Sequence, residues 1–153
     1  MSYDLAVWNG PRPASAAEAG VEYERRMEAL YASLSDSAGR TPPSAPIRAF
    51  VDAVVARFPE LDMDSGPECP WASAPLIDEA VGDIIYFPMT YSGAEFARDP
   101  VAEVAASLGL VCYDPQAEQL LPEVAASQSE QPSPEPRETQ PTAGWWRRIL
   151  GRD

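Results

Sequence analysis

The chain has 153 residues, no histidine and a formal net charge of −13. All 11 of its basic residues are arginine, which excludes Ser-His-Asp triads, Cys-His pairs, histidine metal sites, Walker lysines and Schiff bases. A pI near 4.3 argues against nucleic acid as a partner, because phosphate contacts need basic residues in excess; it favours steered encounter with something basic.

In chain order, residues 2–8 alternate. Tyr3, Leu5 and Val7 share one face of a predicted strand, and Asp4, Ala6 and Trp8 the other. Asn9-Gly10-Pro11 ends it with turn chemistry. Ser15, with Glu18 at capping-box spacing, opens a helix whose stripe is Tyr23, Met27, Leu30, Tyr31 and Leu34. A second helix is expected after Ser44, with Pro46 in its first turn, a stripe from Ile47 to Phe58, and Pro59 as its stop.

Residues 60–75 read as a loop rich in proline and acids. The run 83–91 is a strand buried on both faces, with a hairpin partner over roughly 75–79. Pro88 donates no ladder hydrogen bond, so this strand must bulge there or have a free side. Ser92 and Glu95 repeat the capping spacing ahead of a third helix, where Pro100 predicts a kink, or a fresh start capped by Asp99. Gly109 suits the residue after that helix, with Leu110 folding back. A strand over 110–114 and an edge strand over 119–121 complete the order.

Omitting one of the first two helices leaves β-α-β-β-α-β. The expected fold is α+β: a two-layer antiparallel sheet with helices on one face, in ferredoxin-like order, plus a disordered C-terminal tail. The globular domain is expected over 1–122. Residues 123–144 hold four prolines and one large aliphatic, Val124, and read as a disordered linker. Residues 145–153 form the third unit. There Trp145, Trp146, Ile149 and Leu150 would share a helical face, with Arg147, Arg148 and Arg152 turned elsewhere. Such a peptide suits docking to a partner, to a membrane surface, or to its own acidic body, which carries most of the charge.

Candidate sites are few. Glu60, Asp62, Asp64 and Glu68 offer oxygen ligands for a divalent ion, but the calcium-loop pattern fails: Pro67 and Ser73 stand where it needs Gly and Glu. Asp78, Glu79 and Asp83 form a second acidic group, read first as hydrated. Cys112 lies in an apolar strand and Cys69 beside acids, so neither is a nucleophile candidate. No metal or other cofactor is expected. Trp8 and Trp71, with Tyr86 or Tyr91, could form an aromatic patch on an open sheet face, or a second small core. The protein-binding candidates are therefore Trp8, Trp71, Asp62, Asp64, Asp78, Glu79 and Tyr91, with residues 145–150 as a docking tail. Residues 1–8 lack a secretory signal, so a cytoplasmic setting with free thiols is expected.

Two stretches, Tyr3-Asp4-Leu5-Ala6-Val7-Trp8 and Gly109-Leu110-Val111-Cys112-Tyr113-Asp114-Pro115-Gln116, resemble small bacterial proteins that include suspected immunity proteins of polymorphic toxin systems. The resemblance spans residues 2–122 in outline. It implies no active site; together with the acidic body and the missing catalytic residue types, the expectation is a non-enzymatic antagonist of a basic toxin. An adaptor acting through the Trp-Trp-Arg-Arg peptide is the alternative, and a carboxylate enzyme with a divalent ion at 60–68 or 78–83 a third.

Overall fold

The opening alternation folds as β1 (Tyr3–Trp8), the central strand of a five-stranded antiparallel sheet. The computed structural model describes residues 1–123, which form one compact unit. The expected linker beyond residue 123 and the peptide at 145–153 lie outside the described residues. The other elements are α1 (Ala16–Leu34), α2 (Ala45–Arg57), a 3-10 turn (Leu76–Glu79), β2 (Ala80–Val81), β3 (Ile84–Met89), α3 (Tyr91–Ser107), β4 (Val111–Asp114) and β5 (Gln119–Leu121).

Strand order is β2-β3-β1-β4-β5. β1 to β4 with α2 and α3 reproduce the ferredoxin-like arrangement, and β5 extends it by one edge strand. β1 pairs with β3 from Tyr3↔Met89 to Trp8↔Ile84, and with β4 from Ala6↔Tyr113 to Trp8↔Val111. Because side chains alternate, β1 serves two cores. Leu5 and Val7 join Phe50, Val54, Phe87 and Val101 beneath α2 and α3. Ala6 and Trp8 join Ile84, Val111 and Tyr113 beneath Met27 and Leu30 of α1. Each large side chain so buried contributes roughly 1.5–3 kcal/mol.

The expectation of helices on one face holds for the ferredoxin-like pair, α2 and α3. The additional helix, α1, covers the opposite face. The reason lies in the strands: both faces of β1, β3 and β4 are apolar, so the second face also has to leave water.

Several local expectations are met. Ser15 Oγ accepts from the Glu18 N–H at 3.2 Å, and the Glu18 carboxylate reaches back to the Ala14 N–H at 3.0 Å. Gly109, with φ of 73°, ends α3: the Leu110 N–H donates to the Ala105 carbonyl and the Gly109 N–H to that of Ala106. Pro88 departs from expectation, with neither a bulge nor a free side: away from β1 the strand is bridged by Trp71 at Met89. The Pro88 carbonyl accepts from the Ala72 N–H on the edge away from β1, so its missing N–H also faces that edge and the β1 ladder loses nothing.

Three further local expectations are corrected. The hairpin partner of β3 is Ala80–Val81, and 76–79 is a 3-10 turn. The N-cap of α3 is Thr90: its N–H donates to the Pro70 carbonyl, which holds it extended, and its Oγ1 accepts from the Gly93 N–H at 2.9 Å. Pro100 does not break α3, which runs unbroken from Tyr91 to Ser107. The carbonyl that loses its partner belongs to Phe96, an exposed residue of the helix. Asp99 pairs with Arg98 and caps no helix.

Candidate protein-binding surface

The two tryptophans are core residues. Trp8 is fully buried under α1, with the Arg26 guanidinium 5.5 Å from its ring centroid and Tyr113 6.2 Å away. Arg26 is held there by Glu22 at 2.7 Å and by the Asn9 carbonyl. Trp71 is buried on the other face, edge-on to Phe58 and Phe87, and its Nε1–H donates to the Phe58 carbonyl at 2.8 Å. No aromatic patch joining Trp8, Trp71, Tyr86 and Tyr91 forms. Trp8 and Tyr86 belong to the α1 side, Trp71 to the α2–α3 side, and Tyr91 opens α3 against Tyr3 at 6.0 Å. The two tryptophans thus lie in separate cores, out of reach of any partner. Tyr91 stays half-exposed.

The acidic loop is organised by its own turns. Asp62 Oδ1 accepts from the Asp64 N–H and the Ser65 hydroxyl, both at 2.9 Å, and leaves Asp64 in solvent. Both Glu60 carboxylate oxygens accept from the Leu76 N–H, which ties the loop to the 3-10 turn. Asp78 is exposed on that turn and Glu79 half-buried, and the Arg40 guanidinium donates to the Asp78 carbonyl. Among the described residues, no three His, Cys, Asp or Glu side chains converge to hold a metal ion. Burial pushes the Cys112 thiol up to about 12, so it stays protonated at neutral pH.

One buried carboxylate went unremarked in the sequence. Asp114 is the only buried charged residue among those described. Its Oδ2 accepts from Arg98 Nε at 2.8 Å and from the Tyr3 hydroxyl at 2.5 Å, and its Oδ1 from the Gln116 and Ala117 N–H groups at 3.0 Å. Burial first, and then the Asp114 carboxylate, raise the Tyr3 phenol above its usual range. Arg98 continues to Gln119 at 3.1 Å and Asp99 at 2.9 Å. This network locks α3, β1 and the β4–β5 turn together. The local signal was Asp114-Pro115, a turn opener; the partners Tyr3 and Arg98 are remote in sequence.

Much of what reaches solvent is charge, beside exposed Val21, Tyr31, Leu34, Met63 and Phe96. Residues 124–153 contain equal numbers of acidic and basic side chains, so the whole net charge of −13 falls on the described body. Among the described residues, ion pairs engage only Glu22, Asp99 and Asp114. The other carboxylates, on α1, the 60–68 loop, the 3-10 turn and α3, lack a basic partner among the described residues.

In comparisons with known proteins, no family model, curated protein or solved structure matches the chain. Among the described residues no helix is long and apolar enough to cross a membrane.

Proposed function

We propose that residues 1–123 are a non-enzymatic, cytoplasmic protein-binding module, an immunity-type antagonist of a basic toxin. The observation that carries this reading is the location of the net charge on one compact unit whose exposed carboxylates are mostly unpaired. Such a field raises the rate of encounter with a cationic surface, and that rate falls as salt screens it. The buried tryptophans cannot serve as anchors, which leaves exposed Asp62, Asp64, Asp78 and Tyr91 as contacts at such a surface.

The test is a paired capture from the native host's lysate with the full chain and with residues 1–123, each washed at low and high salt. A basic protein held by both baits, released by salt, and toxic unless the chain is co-expressed supports the antagonist. Protection that needs residues 124–153 moves the function to the adaptor or membrane-proximal reading, which rests on the composition of Trp145–Leu150.

A further inference from the structure

A groove between α1 and the β4–β5 turn holds a polar group that the fold does not use. Tyr113 is only 4 % exposed; its hydroxyl makes no hydrogen bond to another described residue and meets solvent at the groove. It points at α1, 3.2 Å from where a Cβ on Gly20 would stand. With Ala17, Gly20, Val21, Glu24 and Glu118, Tyr113 lines a groove of about 430 Å³. A side chain at position 20 would crowd that hydroxyl; glycine leaves it open to the groove.

The two carboxylates at the groove are unpaired among the described residues. Glu118 is also the only non-glycine residue among those described with positive φ, at 52°. Glycine or asparagine would sit there with less strain. Burial first, then Glu118, raises the Tyr113 phenol above its usual range, so the hydroxyl keeps its proton and its lone pairs remain acceptors.

We propose that this groove receives the guanidinium of one arginine from the basic protein partner, with Glu24, Glu118 and the Tyr113 hydroxyl accepting its N–H groups and Ala17 and Val21 lying along its methylene stem. The inference rests on the reading of the body as a binder of a basic protein, and it names where that partner is gripped. Arginine fits better than lysine. A planar fork of donors matches several separated acceptors, and a guanidinium is more weakly hydrated than an ammonium beside apolar walls. A bare metal ion does not fit, since no three acidic, cysteine or histidine side chains converge among the described residues.

The test is an amide-resolved NMR titration of the full chain with N-acetyl-arginine amide, with the lysine analogue, and with neutral N-acetyl-citrulline amide. Arginine should give saturable shifts at Gly20, Val21, Glu24 and Glu118, lysine should bind about fivefold more weakly, and citrulline should give none. E24Q and E118Q should each weaken arginine about fivefold, and Y113F about twofold. E118G should keep the fold, since glycine tolerates that backbone, and lose the binding.

Equal shifts from citrulline, or shifts that E118Q leaves unchanged, would overturn the groove as an arginine site. The paired capture separates the two ideas. If E24Q/E118Q chains still retain the basic protein in a salt-dependent way at unchanged strength, the groove proposal fails and the binder reading stands. If arginine amide binds as expected but no basic protein is retained, a protein-borne arginine is overturned together with the binder reading.

Discussion

Arg98 of α3 donates from Nε to the Asp114 carboxylate of β4 at 2.8 Å, and Asp114 is wholly shut off from solvent. A buried charge costs several kcal/mol unless it is paired and hydrogen-bonded. Arg98→Ala should therefore destabilise the fold by about 3 kcal/mol, somewhat cushioned by the Tyr3 and backbone contacts to the same carboxylate. Arg98→Ala with Asp114→Asn should cost less than the sum of the single changes, because the double variant leaves no unpaired charge. Urea unfolding of the four proteins in the cycle measures this coupling, and strict additivity would mean the pair does not hold α3 to β4.

Gly93 sits in the first turn of α3 where the loop crosses it. A Cβ there would stand 2.5 Å from Pro70 Cα and 2.7 Å from its carbonyl oxygen, so backbone must move. Gly93→Ala should destabilise by about 1–3 kcal/mol even though alanine is the better helix former. The same change at Gly39, where nothing lies within 4 Å, escapes that clash and costs only the strain of its positive φ. Thermal melts of the two variants discriminate contact from backbone strain.

Acid should loosen α1 first. Glu22 accepts from Arg25 and Arg26, and these hold its carboxyl at about 2, against an ordinary 4.5. A depressed pKa contributes stability that is complete above the unfolded value and lost as pH falls toward about 2. Arg25 faces solvent and Arg26 lies over Trp8, so at this half-open site the Glu22 contribution is about 0.5–1 kcal/mol. Glu22→Gln should lower stability at neutral pH by that amount and flatten its fall between pH 4.5 and 2, measured as denaturation midpoints against pH. An unchanged slope would show that the pairs dissolve in water.

Alkali should act through the aromatic layer. Tyr3, Tyr23, Tyr86 and Tyr113 are all raised above the ordinary 10, and burial is the first cause for each. A raised acid contributes stability present below its unfolded pKa and lost as pH climbs through 10 toward its folded value. Phenolate absorbance from these four rings should rise late, coincident with loss of near-ultraviolet dichroism. Their ionisation ahead of that loss would contradict the packing of Tyr23 and Tyr113, whose ring centroids are 5.3 Å apart.

Local chemistry in the sequence was enough to determine the strand of residues 3–8, the Ser15 cap, the stop at Pro59, the Gly109 terminus and the α+β class. Each depends on contacts within a few residues or on a simple period. Cap choice between Thr90 and Ser92 was not legible, because Pro70, twenty residues upstream, decides it through one hydrogen bond. The continuity of α3 through Pro100 depended on which side of the helix met water. Nor could the aromatic candidates be placed. Alternation put Trp8 on the face opposite Leu5 and Val7, but only the packing of α1 turned that face into a core. Asp114 and Tyr113 are adjacent in sequence, and their separate roles come from Arg98, Tyr3, Gly20 and Glu24, residues scattered over the domain. The sequence by itself determined most of the elements and the charge of this protein. The tertiary structure alone decided which side chains are shut away and which carboxylates stay unpaired, because periodicity names a face and only distant packing supplies what lies against it.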